Sequence, residues 1–362
     1  MKIGIDARPL ISARPTGIGI YLVNILKYLR EWDKENTYYL YADHEIENDI
    51  SLGDNFIKRI IPGKISLFWI TYTLPQILME DGIEVFWGTY HNLPLKREGI
   101  KYVLTVHDLA FMAGPAWTDW LRNLLWNIYV PMSIENADRV IAISQATKRD
   151  ILRFSRAKED KIKVVYNGGP GFDFAREEES EAAEYGRYFL DIGTISPRKN
   201  MEALVLAFDL LADEIEDIRL VLAGDVGRGG VPVIRLVQTA RHRDRIVLPG
   251  YVQAKQRNDL LEHAAAFVYP SHYEGFGIPV LEAMMHGTLV ITAMNSSLPE
   301  VGGEAAFYVK NENDARELCS LMREVLELEE EKRQERLELG RQQCMKFSWE
   351  NCAKEVYKEL VK

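Results

Sequence analysis

YPSHYEGFGIPVLEAM, residues 269–284, sets two carboxylates, Glu274 and Glu282, around a glycine turn that opens a helix. The run 265–269 is short and of strand type, 274–277 reads as a turn, and Pro279 suits a first helical position, where no N–H is needed. The spacing predicts a helix from there to about His286, stopped by Gly287. Gly275 and Gly277 let the backbone approach a ligand closely, and the N–H groups of Gly277 and Ile278 lie at the positive end of the helix. That combination favours a phosphate. Glu282, one turn in, can accept from two neighbouring hydroxyls of the kind a ribose presents, and Glu274 is left facing whatever the phosphate carries. Either glutamate alone is an ordinary helix-forming or surface residue. The ordered set of strand, Ser271, Glu274, Gly275, Gly277, Pro279 and Glu282 reads as a site for an activated sugar.

Outward from this segment, strand-like runs alternate with helical patterns from end to end. They fall at 3–5, 103–106, 140–143 and 164–166, then at 189–192, 220–223, 246–248, 265–269 and 290–292. Such alternation predicts parallel sheets with helices on both faces. A chain of 362 residues, 47% hydrophobic, can bury two such α/β cores. The pattern restarts after Asn167, and the glycines at 168–171 followed by an acidic run neither pack nor pair well. The expected organisation is a first domain at 1–170, a linker at 171–186 and a second domain at 187–346, with a last helix at about 347–362 capped by Ser348.

The formal charge of −10 argues against a general nucleic-acid binder. Residues 1–168 carry 21 Lys and Arg against 20 Asp and Glu, so the acidity sits in the second half, in runs such as 177–184 and 327–331 that read as solvated surface. MKIGIDARPL lacks a secretory pattern and no eighteen uncharged apolar residues run together, so neither a signal peptide nor a membrane span is expected. Cys319, Cys344 and Cys352 have no metal-ligand spacing, which fits a reduced cytoplasm and no zinc.

After the run 188–192 comes GTISPRKN, residues 193–200, which puts Arg198 and Lys199 in a strand-to-helix loop before a helix expected over 200–215. Two cations beside helix N-termini can neutralise a departing diphosphate without metal, and no Asp-x-Asp motif is present. In TGIGIYLVNIL, residues 16–26, a helix is expected from near Ile18, and Gly17 and Gly19 offer bare backbone or simply a tight turn. Leu22 stands where a dinucleotide fingerprint needs its third glycine, so NAD binding loses ground. His107, in TVHDLAF with Asp108 beside it, occupies a strand end, where function outweighs a structural role; His91, in WGTYHNLPL, is the weaker candidate. Ser144 reads as a helix N-cap. Trp117, Trp120, Leu121, Leu124, Leu125 and Ile128 fall at helical spacing. The plainer reading of that stripe is a helix covering its own sheet; the other is that some of these side chains, with Phe68 and Trp69, hold a lipid-linked acceptor at a membrane surface.

The segment 269–284 closely resembles the paired-glutamate signature of glycosyltransferase family 4, retaining sugar-nucleotide transferases of the GT-B fold, and the resemblance extends over nearly the whole chain. It implies two Rossmann-like domains facing each other across a cleft, an N-terminal acceptor domain, a C-terminal donor domain and a last helix that crosses back to the first. It implies catalytic roles for Glu274 on the donor sugar, His107, Arg198 and Lys199, the last matching the usual diphosphate lysine. Donor contacts would come from Gly17, Gly19, Thr194, Arg198 and Lys199, and from Gly275, Phe276, Gly277, Ile278 and, on the ribose, Glu282. Many members carry arginine where Thr194 stands, a charge that Arg198 is expected to supply, and mannosyltransferase-like members often carry arginine at Ile20. SSLPEVGGEAAFY, residues 296–308 with Glu300, resembles members using GDP-mannose or deoxysugar donors. The implied activity is transfer of a hexose, with a lean to GDP-mannose, to a glycan or lipid-linked acceptor in polysaccharide or cell-surface glycan assembly. No metal or other cofactor is implied, and the implied location is the cytoplasm, with peripheral contact at the inner membrane face as the second reading of the aromatic stripe. Two rivals remain: a sugar-nucleotide 2-epimerase on the same fold, and a non-catalytic nucleotide-binding protein.

Overall fold

The computed structural model describes residues 1–12, 16–47, 52–63, 66–114, 117, 120–169 and 181–362, without the side chains of 120–122, 181 and 183. The chain divides into two compact units, Met1–Gly168 with Phe347–Lys362, and Gly169–Lys346. In the linker expected at 171–186, residues 171–180 lie outside the described residues, and Glu181–Tyr185 forms a short 3-10 helix.

The first unit holds seven strands: β1 Lys2–Asp6, β2 Thr37–Ala42, β3 Phe56–Ile60, β4 Val85–Gly88, β5 Lys101–Val106, β6 Arg139–Ala142 and β7 Ile162–Val164. They pair in parallel in the order β3-β2-β1-β4-β5-β6-β7. The second holds β8 Arg187–Ile192, β9 Ile218–Ala223, β10 Ile246–Gly250, β11 Ala266–Tyr269, β12 Val290–Ala293 and β13 Phe307–Val309. These too are parallel, in the order β10-β9-β8-β11-β12-β13. Helices cover both faces, which is why β4, β11 and β12 are buried along their whole length and read as unbroken apolar runs. The order reverses between β1 and β4, and again between β8 and β11. At such a reversal the loops after the two strands diverge and leave a crevice outside their carboxyl ends.

The sequence pattern misses β2, β3, β4 and β13. β2 is TYYLYA, aromatic instead of aliphatic; β3 is an edge strand whose Ile57 and Lys58 are exposed; β4 and β13 span four and three residues. The strand expected at 164–166 starts two residues earlier, because Ile162 and Val164 pair with Val140 and Ala142, while Tyr166 turns its ring onto Phe347. The helix expected over 200–215 is shorter, Met201–Leu211.

The opening helix Gly17–Trp32 buries Tyr21, Leu22, Ile25, Leu26 and Leu29, so Leu22 is core. The last helix, Trp349–Val361, packs on this first unit. Ser348 caps it by accepting from the Asn351 N–H, Trp349 meets Tyr21 edge-on, and the Lys101 ammonium donates to the carbonyls of Glu359 and Leu360 at its negative end. A Cβ on Gly168 would fall 2.3 Å from the Trp349 nitrogen, so only glycine lets the chain pass this helix.

Candidate active site

The site builds from the reversal in the second sheet. Because β8 and β11 are neighbours, the loop after β8, which carries Arg198 and Lys199, lies beside the turn after β11, which carries Glu274. The His272 N–H donates to the Arg198 carbonyl and ties the two loops together. Lys199 ends a single 3-10 turn, Pro197–Lys199, followed by Asn200 in the left-handed region (φ 54°), whose amide donates to the carbonyls of Pro270 and Glu312. From the loop after β12, Ser296 accepts from the Glu274 N–H, and Ser297 donates to the carbonyls of Glu274 and Phe276. The turn is therefore held on both sides.

Gly277 sits at φ 109°, where a side chain is strained, and caps the helix Ile278–Met285. Pro279 occupies its second position instead of the first; the N–H there has no intrahelical acceptor either. Gly287, at φ 72°, ends it as expected.

Glu274 is only 8% exposed, yet both oxygens are engaged. Oε1 lies 2.7 Å from the Lys199 ammonium and accepts from the Tyr269 hydroxyl at 3.0 Å, and Oε2 lies 2.8 Å from the Arg198 guanidinium. Lys199 also donates to Tyr269 and sits 4.4 Å above its ring. Burial favours the neutral form of Glu274, but the two cations prevail and hold it at about 2. Burial lowers Lys199, with Glu274 opposing. One carboxylate against two cations leaves a net positive pocket, and Arg and Lys together bring more N–H donors than one carboxylate accepts. Such a cluster can take up an anion.

Glu282 is paired elsewhere, 3.2 Å from Arg257 on the helix Ala254–His263, and burial raises its pKa. Thr194 is exposed in the loop after β8, while the Phe276 side chain is buried, so that residue offers only backbone to a ligand. Gly17 is exposed, with open space where a Cβ would stand, and Gly19 is buried. Among the described residues no group of three or more His, Cys, Asp or Glu side chains stands together as a metal-binding set.

In the first unit His107 follows β5, 6% exposed, with Nε2 3.1 Å from the Thr89 carbonyl and its ring edge-on to Tyr21. Burial, then the neighbouring His91, lowers it to about 3, so it is a neutral imidazole whose Nε2–H donates to Thr89, with Nδ1 as acceptor. Asp108 does not orient it; that carboxylate accepts from the Ala110 N–H two residues on. His91, at φ 58°, lies 5.7 Å from the His107 ring, so the weaker candidate joins the stronger. Ser144 caps the helix Gln145–Phe154 as expected.

The aromatic stripe needs correction. On the helix Trp120–Asn136 the side chains of Trp120 and Leu121 lie outside the described residues, and Leu124 and Ile128 are 54% and 52% exposed, as is Leu125 in part; Trp126, Val130 and Ile134 cover the sheet instead. Pairing the stripe at Leu124 with the core fails because the inward face lies two residues along. Trp69 is buried, its indole donating to the Ile61 carbonyl, while Phe68 is exposed.

Sequence reasoning missed two groups. Arg8, its side chain 7% exposed, grips Asp6 at 2.6 and 2.9 Å, donates to Asn92 and lies over the rings of Trp69 and Tyr90. The signal was IDAR at the end of β1, an acid and a base two apart where a strand meets a loop. The other is Asp191 on β8, an acidic residue inside an apolar run.

Two family models match the chain: Glycosyltransferase Family 4 over 15–168 and Glycosyl transferases group 1 over 173–343. The O-antigen chain mannosyltransferase B of Escherichia coli is 30% identical over 277 residues, 74% of this chain and 71% of the relative. The O-antigen chain mannosyltransferase RfbU of Salmonella typhimurium is 27% identical over 266 residues, 72% of this chain and 71% of the relative. A solved structure of the Anabaena protein HepE in complex with UDP-glucose has a TM-score of 0.74 at 16% identity, over 99% of both chains, a likeness of fold. The paired parallel sheets, the anion-ready turn after β11 and a 30% identical relative together mean that this chain belongs to glycosyltransferase family 4 and is a mannosyltransferase-like glycosyltransferase of the GT-B fold.

Proposed function

We propose that the chain transfers a mannosyl group from GDP-mannose, with retention and without metal, to a hydroxyl of a glycan or lipid-linked acceptor in cell-surface polysaccharide assembly. The observation that carries this reading is the cluster of Arg198 and Lys199 on Glu274 at the carboxyl ends of β8 and β11, beside the N-terminus of the helix Ile278–Met285. The names of the relatives support mannose. In this reading the C1–oxygen bond to the diphosphate breaks while the acceptor oxygen bonds to C1 on the same face, and the acceptor proton passes to the departing diphosphate oxygen. Arg198 and Lys199 stabilise the charge that grows on the leaving group, each charge-assisted hydrogen bond contributing about 1.5–3 kcal/mol. Glu274 orients the sugar, Glu282 the ribose, and His107 serves the sugar as a neutral hydrogen-bonding group.

A thermal-shift screen of GDP, UDP, dTDP and ADP, followed by product analysis with GDP-mannose and a glycan acceptor, tests this reading. The expected result is stabilisation by GDP above the others, an α-linked product and activity that survives chelation. Lys199→Ala is expected to lower turnover at least about tenfold, equivalent to about 1.4 kcal/mol, and unchanged turnover would remove Lys199 from the site. Conversion of the donor with no acceptor present would favour the 2-epimerase. Nucleotide binding with no release from any sugar donor would favour a non-catalytic binder.

The exposed Leu124, Leu125, Ile128 and Met132 support contact with a membrane that presents the acceptor. Among the described residues no helix is long and apolar enough to cross a membrane. Co-flotation with anionic liposomes is expected, and recovery wholly in the soluble fraction would discard the idea.

A further inference from the structure

A buried carboxyl stands behind the cation pair. Asp191, the fifth residue of β8, is 0% exposed, and neither of its oxygens has a hydrogen-bond partner among the described residues. Other buried carboxylates among the described residues behave differently: Asp6 is held by Arg8, Asp33 by Asn36 and Tyr38, and Glu274 by Arg198 and Lys199. A carboxylate withdrawn from water without a donor is strongly disfavoured, so the group rests as the neutral acid. Burial lifts it to about 8, with Lys199 pulling it down and Glu274 pushing it up.

Its surroundings explain what it acts on. The Lys199 stem passes over Gly193, two residues beyond Asp191, where a Cβ would stand 3.7 Å from Lys199 Cε. Opposite it on β9 is Leu222, and the buried face of the helix Met201–Leu211 is apolar. The charged and titratable groups that bear on it are therefore Lys199 and Glu274, with Tyr269 from β11 between them and Arg198 on the far side of Glu274.

We propose that Asp191 is a positioning residue for the donor: while neutral it exerts no pull on Lys199, whose ammonium stays beside Glu274 and faces the diphosphate, and once ionised it draws the ammonium back and opposes the arriving negative charge. This rests on the donor-site reading given above. Nucleotide binding then takes up part of a proton wherever Asp191 is partly ionised, and affinity falls as the solution becomes alkaline.

The test is calorimetry of GDP and, in parallel, UDP on the full chain, at pH 7 and pH 9 and in two buffers of different ionisation heat. For wild type the dissociation constant is expected to rise roughly tenfold between the two pH values, as for a site whose binding form is lost above pH 8, with proton uptake at pH 8. Asp191→Asn, a mimic of the neutral acid, should bind as wild type at pH 7 and lose both the alkaline decline and the proton uptake. The same decline in Asp191→Asn would assign it to deprotonation of Lys199 and overturn the proposal, as would the absence of proton uptake in wild type. Should the Asn variant fail to fold, Asp191→Ser and the wild-type proton count decide between the same outcomes. Nucleotide binding that is indifferent to Lys199→Ala would instead overturn the donor-site reading itself.

Discussion

The two sheet reversals in this protein have the same topology and opposite chemistry. Between β8 and β11 the loops bring charges together, Glu274 closed against Arg198 and Lys199 in a net positive cluster. Between β1 and β4 the charge pair Asp6 with Arg8 is already satisfied, and the rings gathered near it, Tyr90, His91, Trp126 and the neutral His107, form a largely buried aromatic cluster. A parallel sheet supplies the place for a site; the side chains on the loops decide whether an anion or a neutral ring is welcome there.

The largest effect that separates them is on stability. Arg8→Ala leaves the buried Asp6 carboxylate without its cation, so unfolding of the first unit in urea is expected to lose about 3–5 kcal/mol. GDP affinity should stay within about twofold, since Arg8 is satisfied by its own unit; a large loss of affinity would break the division between the two regions.

Acid sharpens the same contrast. His107 folds with its pKa lowered to about 3, below the usual 6.5, so its contribution is complete above pH 6.5 and declines as pH falls below that. Glu274, held at about 2, begins to lose its contribution only below about 4.5. Between pH 7 and pH 5 His107 is expected to remove about 2 kcal/mol of stability, and His107→Gln should take that share out of the pH dependence. A slope unchanged in His107→Gln would mean that the imidazole is not buried in its neutral form.

How much of this was legible follows the same division. The second site lies within sixteen consecutive residues punctuated by Gly275, Gly277 and Pro279, and its partner loop is announced by two adjacent cations. Local geometry therefore carried the reading of β11, the turn and its helix. What stayed hidden was mutual: that Glu274 closes on both cations, that Tyr269 joins them and that Glu282 pairs with Arg257 depend on which strands are neighbours. The first region is assembled from Asp6, Thr89, His91, His107 and Trp126, drawn from several separate segments, of which only His107 and, more weakly, His91 stood out in the sequence. β2 and β4 were passed over because TYYLYA and VFWG are aromatic where an aliphatic run was sought, and the face of the helix Trp120–Asn136 was misjudged because apolar residues occur all round it. The smallest expected effect belongs there: Leu124→Ser and Ile128→Ser, on the exposed face, should change stability by less than about 0.5 kcal/mol. A greater loss in thermal unfolding would return those residues to the core.

The central claim is that Arg198 and Lys199 meet the donor's diphosphate, and the most direct measurement is the affinity of GDP for wild type and for Lys199→Ala at pH 7, with guanosine as the phosphate-less control. Wild type is expected to bind GDP at least about tenfold more tightly than the variant, with guanosine binding the same in both, since one charge-assisted hydrogen bond is at stake. Equal GDP affinities in the two proteins would contradict the account.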